Sequence, residues 1–131
     1  MNYLARMFLL LAIAAAMFGC SDSRAARPLE FKKNIYTGHR MQPAEWLAKD
    51  VLENRIFTRY GGLDMLVTDC TAEAGRNQGL DGVRVLGVKE RGAVILVDTE
   101  ISFKNGKKLK STEAWMQEDG VWKLTFRSEG K

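Results

Sequence analysis

Asp98 and Glu100 are the carboxylates with the best chance of doing chemistry. They lie two apart in AVILVDTEISF, a run whose period of two makes a long strand, so both project from one face beyond Val94 and Leu96. A carboxylate desolvated among apolar side chains is pushed up towards the pKa of a useful base. Tyr60 ends a helical stretch and could donate a hydrogen bond; His39, the one histidine, could reach the same rim. Nothing in the spacing demands this arrangement. The plainer reading makes Asp98 and Glu100 wet residues at the polar end of a strand, Tyr60 a core residue and His39 part of a surface loop. No GxSxG, phosphate-cradling loop, dinucleotide glycine motif or nucleophile–base signature occurs. One histidine and two cysteines leave a zinc or copper site almost no ligands. Neither a metal, a cofactor nor a catalytic activity is therefore expected.

Two binding features stand out instead. Trp115 alternates with Leu109, Ser111, Glu113 and Gln117, a mixed face. That predicts a half-exposed ring, either an anchor for a partner or a side chain leaning on a loop or tether. KNGKKLK gathers Lys104, Lys107, Lys108 and Lys110 on one hairpin. It could meet lipid phosphates or an acidic protein, although lysines also simply keep a sheet edge soluble.

The amino terminus supplies an address. Met7 to Gly19 is 13 residues without a charge, preceded by Arg6. A membrane-spanning helix needs about 20 apolar residues, whereas a charged start, a short apolar run and small residues at its end make a secretory signal. Gly19-Cys20 resembles the lipobox of bacterial lipoproteins, in which the cysteine thiol is acylated, the chain is cut before it and the new amine is acylated too. Cleavage after Ala14-Ala15-Ala16 would instead leave Cys20 a plain thiol. By that resemblance Ser21 points to the Gram-negative outer membrane, with the domain facing the periplasm. The bilayer, through acylated Cys20, is then one partner and an envelope protein another. With Cys20 acylated, Cys70 has no disulfide partner and is expected as a small buried hydrophobe. The chain holds 20 basic and 16 acidic side chains. This mild balance does not suggest nucleic acid.

The elements that must position these residues follow. Residues 1–19 read as signal, 20–33 as the lipidated cysteine and a polar, flexible tether, and 34–131 as a single domain, since the chain suffices for one and not two. QPAEWLAKDVLENRIFTRYGG predicts a helix from Pro43 to Tyr60, with Leu47 and Val51 on its apolar face and Gly61-Gly62 ending it. LDMLVTDC, residues 63–70, suits a strand, and TAEAGRNQGLDG a loop or frayed turn. Four strands follow, VRVLGVKE, AVILVDTEISF, KLKSTEAWMQ and VWKLTF, joined at Gly92, Gly106 and Gly120. Trp122, Leu124 and Phe126 share one face of the last. The first half of the long strand is apolar on both faces, so a helix covers one and a folded-over edge or a second subunit, as in a homodimer, covers the other. The fold class is α+β: one main N-terminal helix packed on a curved four- to five-stranded antiparallel meander.

RYGGL at 59–63, the long strand followed by KNGK, and the closing EDGVWKL resemble the small bacterial lipoproteins of the nuclear-transport-factor-two-like superfamily. That resemblance implies a cone-shaped domain serving many unrelated functions, and enzymes of the superfamily use an aspartate, tyrosine or histidine inside the cone. The expectation is a membrane-anchored, non-catalytic binding or accessory domain of the envelope, with Tyr60, Asp98, Glu100 and Trp115 as pocket or partner residues. The alternatives are an immunity-type inhibitor of a periplasmic toxin or hydrolase, and a small-ligand carrier or isomerase-like enzyme using the cone.

Overall fold

The computed structural model describes residues 22–129. Cys20, where acylation is expected, and the apolar run before it lie outside the described residues. Folded structure starts at once. Asp22 accepts from the Arg24 amide at 3.0 Å and caps a 3-10 turn, Ser23–Ala25, which leads into helix α1, Ala26–Thr37. The sequence reading put a tether here up to Lys33; the structure puts a core helix. Pro28, Phe31, Lys32 and Ile35 recur at helical spacing and are all buried. The charges of Arg27, Lys32 and Lys33 mask that stripe in the sequence. Gly38, at φ 76°, closes α1 in the left-handed conformation that glycine tolerates.

The expected helix from Pro43 to Tyr60 is instead three short ones: α2 (Pro43–Trp46), α3 (Lys49–Leu52) and α4 (Arg55–Arg59). The break is tertiary in origin. Leu47 is extended and forms a parallel bridge with Leu124, and the Ala48 amide donates to the Leu124 carbonyl at 2.8 Å. Burying Leu47, Ala48 and Val51 fully requires that detour. Asn54 restarts the chain by accepting from the Phe57 amide at 2.9 Å.

Residues 63–70, read as a strand, belong to helix α5, Gly62–Arg76, which also absorbs part of the expected loop. Leu63, Leu66, Val67, Cys70 and Ala74 form its inward stripe. Spacings of three and four outweigh the loose alternation that suggested a strand.

The sheet is as expected: β1 (Leu80–Arg91), β2 (Val94–Phe103), β3 (Lys108–Glu118) and β4 (Val121–Thr125), antiparallel in the order β1-β2-β3-β4. Two register shifts in β1, at Leu80/Gly82 and Val85/Gly87, bend it. Ile95, Val97, Thr99, Ile101 and Phe103 of β2 alternate onto the helix side and are at most 2% exposed. There Ile95 and Val97 join Phe31, Ile35, Trp46, Val51, Trp115 and Leu124, while Ile101 and Phe103 pack with Ala74 in a second cluster. Val94, on the other face, is buried too.

Candidate functional site

A cavity of about 600 Å³ lies between α1, α5 and the sheet, at the point where β4 ends. Its floor is polar. Lys32, brought in by α1, is only 6% exposed. Its Nζ donates to Ser111 Oγ at 2.8 Å and to the Glu113 carboxylate. Ser111 Oγ in turn lies 3.2 Å from Thr99 Oγ1. Because the pairs Thr99–Ser111 and Val97–Glu113 sit side by side in the β2–β3 register, the sheet itself fixes this cluster. Tyr36, one turn on from Lys32, and Cys70, from α5, line the same cavity.

The electrostatics are those of a closed account. Lys32 and Glu113 neutralise each other. Burial pushes the Cys70 thiol up, opposed by a hydrogen bond with Tyr36, so the thiol stays protonated. Burial also pushes the Tyr36 hydroxyl far up, with the adjacent Cys70 next in effect. Cys70 is a free thiol. No clusters of His, Cys, Asp and Glu that could hold a metal occur among the described residues.

The rim is apolar. Ile56 and Tyr60 are 71% and 73% exposed, and Met65 and Phe126 are exposed as well. These four line a shallower hollow of about 430 Å³ that shares Phe57, Leu66 and Phe126 with the cavity. Phe57 and Phe126 meet edge to face at 5.6 Å. A wider cleft on the other side of α5, about 920 Å³, mixes Met41, Pro43, Leu63 and Val67 with polar side chains that are all exposed, Arg40, Gln42, Asp64 and Thr68 among them.

The residues singled out in the sequence are not brought together. Trp115 is 1% exposed, packed edge to face on Phe31 at 5.4 Å; the helix it meets was not foreseen. Its Nε1 is buried with no hydrogen-bond partner. Tyr60 belongs to the exposed rim and not to the core, because the chain turns away at Gly61. Asp98 and Glu100 face away from the helices. Asp98 is exposed and accepts from Thr112 Oγ1. Glu100, expected to be wet, is 6% exposed and paired with Arg84 Nε at 3.0 Å. His39 is exposed in the loop after α1. The residues missed were Lys32, Tyr36, Ser111 and Glu113. For the first two, the spacing of Pro28, Phe31 and Ile35 was the available signal.

No family model and no curated protein sequence matches the chain. Solved structures do. A candidate NTF2-like transpeptidase from Campylobacter jejuni superposes with a TM-score of 0.67 at 13% identity, covering 81% of this chain and all of that one. The domain has the NTF2-like fold. TerC, crystallised with polyporic acid, matches over 82% of this chain and 93% of its own at 16% identity, with a TM-score of 0.34 that carries no argument. At such identities the likeness speaks for the NTF2-like architecture alone.

Proposed function

We propose that this NTF2-like domain is a membrane-anchored, non-catalytic binding module of the bacterial envelope, facing the periplasm, whose partner docks at the mouth of the cone. The observation that carries the reading is the contrast between floor and rim. Lys32 and Glu113 on the cavity floor satisfy one another, while Ile56, Tyr60, Met65 and Phe126 present contiguous apolar surface beside it. A catalytic reading needs an activated nucleophile or base. Cys70 is held protonated, and His39 stands in an exposed loop. The anchor rests on the apolar run ending at Gly19-Cys20. An immunity-type inhibitor would use the same rim. A carrier for a small amphiphile is favoured by one observation, the partly open cavity of about 600 Å³.

The test is photo-crosslinking in intact envelopes from benzoylphenylalanine placed at Tyr60, with the same group at His39 as control. One discrete protein adduct from position 60, absent from position 39 and lost on Ile56→Glu with Met65→Glu, supports the module. Equal adducts from both positions, or an adduct indifferent to the rim substitutions, overturns it. A small apolar molecule released on denaturing the purified protein gives the lead to the carrier.

A further inference from the structure

The sheet has an unfinished edge. β3 runs from Lys108 to Glu118, but β4 pairs with it only from Ala114 to Glu118. From Lys108 to Glu113, β3 has β2 on one side and, among the described residues, no strand on the other. The closing hairpin determines which backbone groups are left over. Asp119 and Gly120 both have positive φ, 52° and 77°, as a type I′ turn requires, so Glu118 and Val121 exchange both of their backbone bonds. The antiparallel alternation gives Met116 and Ala114 the same orientation. Past the end of β4 it gives that orientation to Thr112, Lys110 and Lys108. Their N–H and C=O groups face the open side.

Such an edge invites pairing with a second copy. The side chains oppose that. A two-fold antiparallel pairing of this stretch sets Lys108 and Lys110 against or diagonal to the same lysines of the other copy, and like charges there are destabilising. Lys104 and Lys107 add the same sign nearby. Glu73 and Glu100 offset part of it, at 3.0 Å from Lys107 and 4.0 Å from Lys108. The two faces of the edge also differ. Lys108, Lys110 and Thr112 project away from the helices. Leu109, Ser111 and Glu113 project to the helix side, and the cavity mouth includes Thr112, Glu113 and Phe126.

The geometry points to this edge as the docking place of an extended acidic peptide segment of a partner protein, which joins the sheet antiparallel to β3. Its acidic side chains, at alternate positions, lie over Lys108 and Lys110. The apolar side chains between them enter the cavity, where the Lys32–Glu113 pair presents no net charge. Main-chain bonds supply affinity and the alternating pockets supply selectivity. This deepens the binding-module reading and rests on it.

In antiparallel pairing the residues opposite Lys108 and Lys110 are those whose N–H groups point at β3. That gives an asymmetric test. The probe is a fluorescein-labelled peptide, Glu-Val-Glu-Leu-Glu-Val-Glu, titrated into the full-length protein in neutral detergent micelles and read by anisotropy. N-methylation of the glutamate nitrogens is expected to weaken binding by about tenfold or more, through loss of several main-chain bonds. N-methylation of the valine and leucine nitrogens should change it by less than about threefold, because those N–H groups face solvent. Lys108→Glu with Lys110→Glu, a lysine-for-glutamate peptide, and Thr112→Pro should each weaken it about tenfold, with folding checked by circular dichroism. Equal binding by both methylated peptides, or by the charge-reversed protein, overturns the proposal. Sensitivity to Ile56→Glu without sensitivity to N-methylation leaves the rim reading standing and discards the edge. A dimer whose 108–112 amides resist exchange without peptide assigns the edge to a second copy and likewise discards the proposal.

Discussion

Lys32→Met is the most exacting perturbation of this fold. Methionine keeps a stem of similar length against Phe31 and Ile35, so packing is nearly preserved. The charge is lost. Glu113, whose side chain is 21% exposed, then loses its cation, and Ser111 Oγ loses a donor 2.8 Å away. Breaking a fully buried ion pair from one side costs about 3–5 kcal/mol. The residual exposure of Glu113 lowers the expected loss to about 2–4 kcal/mol, against a total of about 5–15 kcal/mol for a domain. Lys32→Met with Glu113→Leu removes both charges, and replacing a whole buried pair is often neutral or better. The double variant should therefore recover most of the loss. Urea unfolding followed by tryptophan fluorescence measures all of it, given unchanged m-values. A loss under about 1 kcal/mol for Lys32→Met, or a double variant no better than the single, refutes the buried pair. A solvated lysine on a tether would give a change within about 0.5 kcal/mol.

Three further outcomes are expected. Cys20→Ala should move the protein from the membrane fraction to the soluble periplasm; retention on the membrane removes the anchor from that residue. Cys70 should react with iodoacetamide in the folded state far more slowly at pH 8 than a free thiol, since burial holds it protonated, and should reach the free-thiol rate in urea; an equal rate when folded contradicts the cavity geometry. Arg24 holds the Asp22 carboxyl at about 2, below its ordinary 3.8, and Arg76 with Lys107 holds Glu73 low as well. Both groups favour the folded state above their ordinary pKa and lose that contribution on acidification; for Asp22 it fades as pH falls from about 4 towards 2. Asp22→Asn should flatten this part of the stability–pH curve, and an unchanged curve would remove Asp22 from the account.

The strands were legible because their signals are local. Asn105-Gly106 and Asp119-Gly120 mark their own turns, and the alternation of Trp122 with Leu124 needs no knowledge of distant residues. The helical half was not, because its determinants are remote. Lys32 looks like a tether residue until Glu113, 81 positions on, is placed beside it. The apolar positions from Pro43 to Tyr60 suggested one helix, and only the bridge between Leu47 and Leu124 explains the break. In 63–70, two periodicities compete, and the helical one prevails because Leu63, Leu66 and Cys70 turn towards the core cluster. The candidate site inherits these failures. A cluster contributed by α1, β2 and β3 has no sequence spacing of its own, and Trp115 was misplaced for want of Phe31.

The early onset of folded chain has a mechanical corollary. One residue, Ser21, separates Cys20 from Asp22, a reach of at most about 7 Å over the two steps. A lipid on that cysteine would therefore hold the body close against its bilayer with almost no freedom to swing. Arg24 grips Glu90, so the end of the domain nearest such an anchor would be the one that carries the β1–β2 hairpin. The ten residues of β2 carry the chain about 33 Å away from that end, at about 3.3 Å each. The lysine-rich β2–β3 hairpin would stand at the summit of a stiff pillar, out of reach of its own head groups and turned towards whatever lies across the gap.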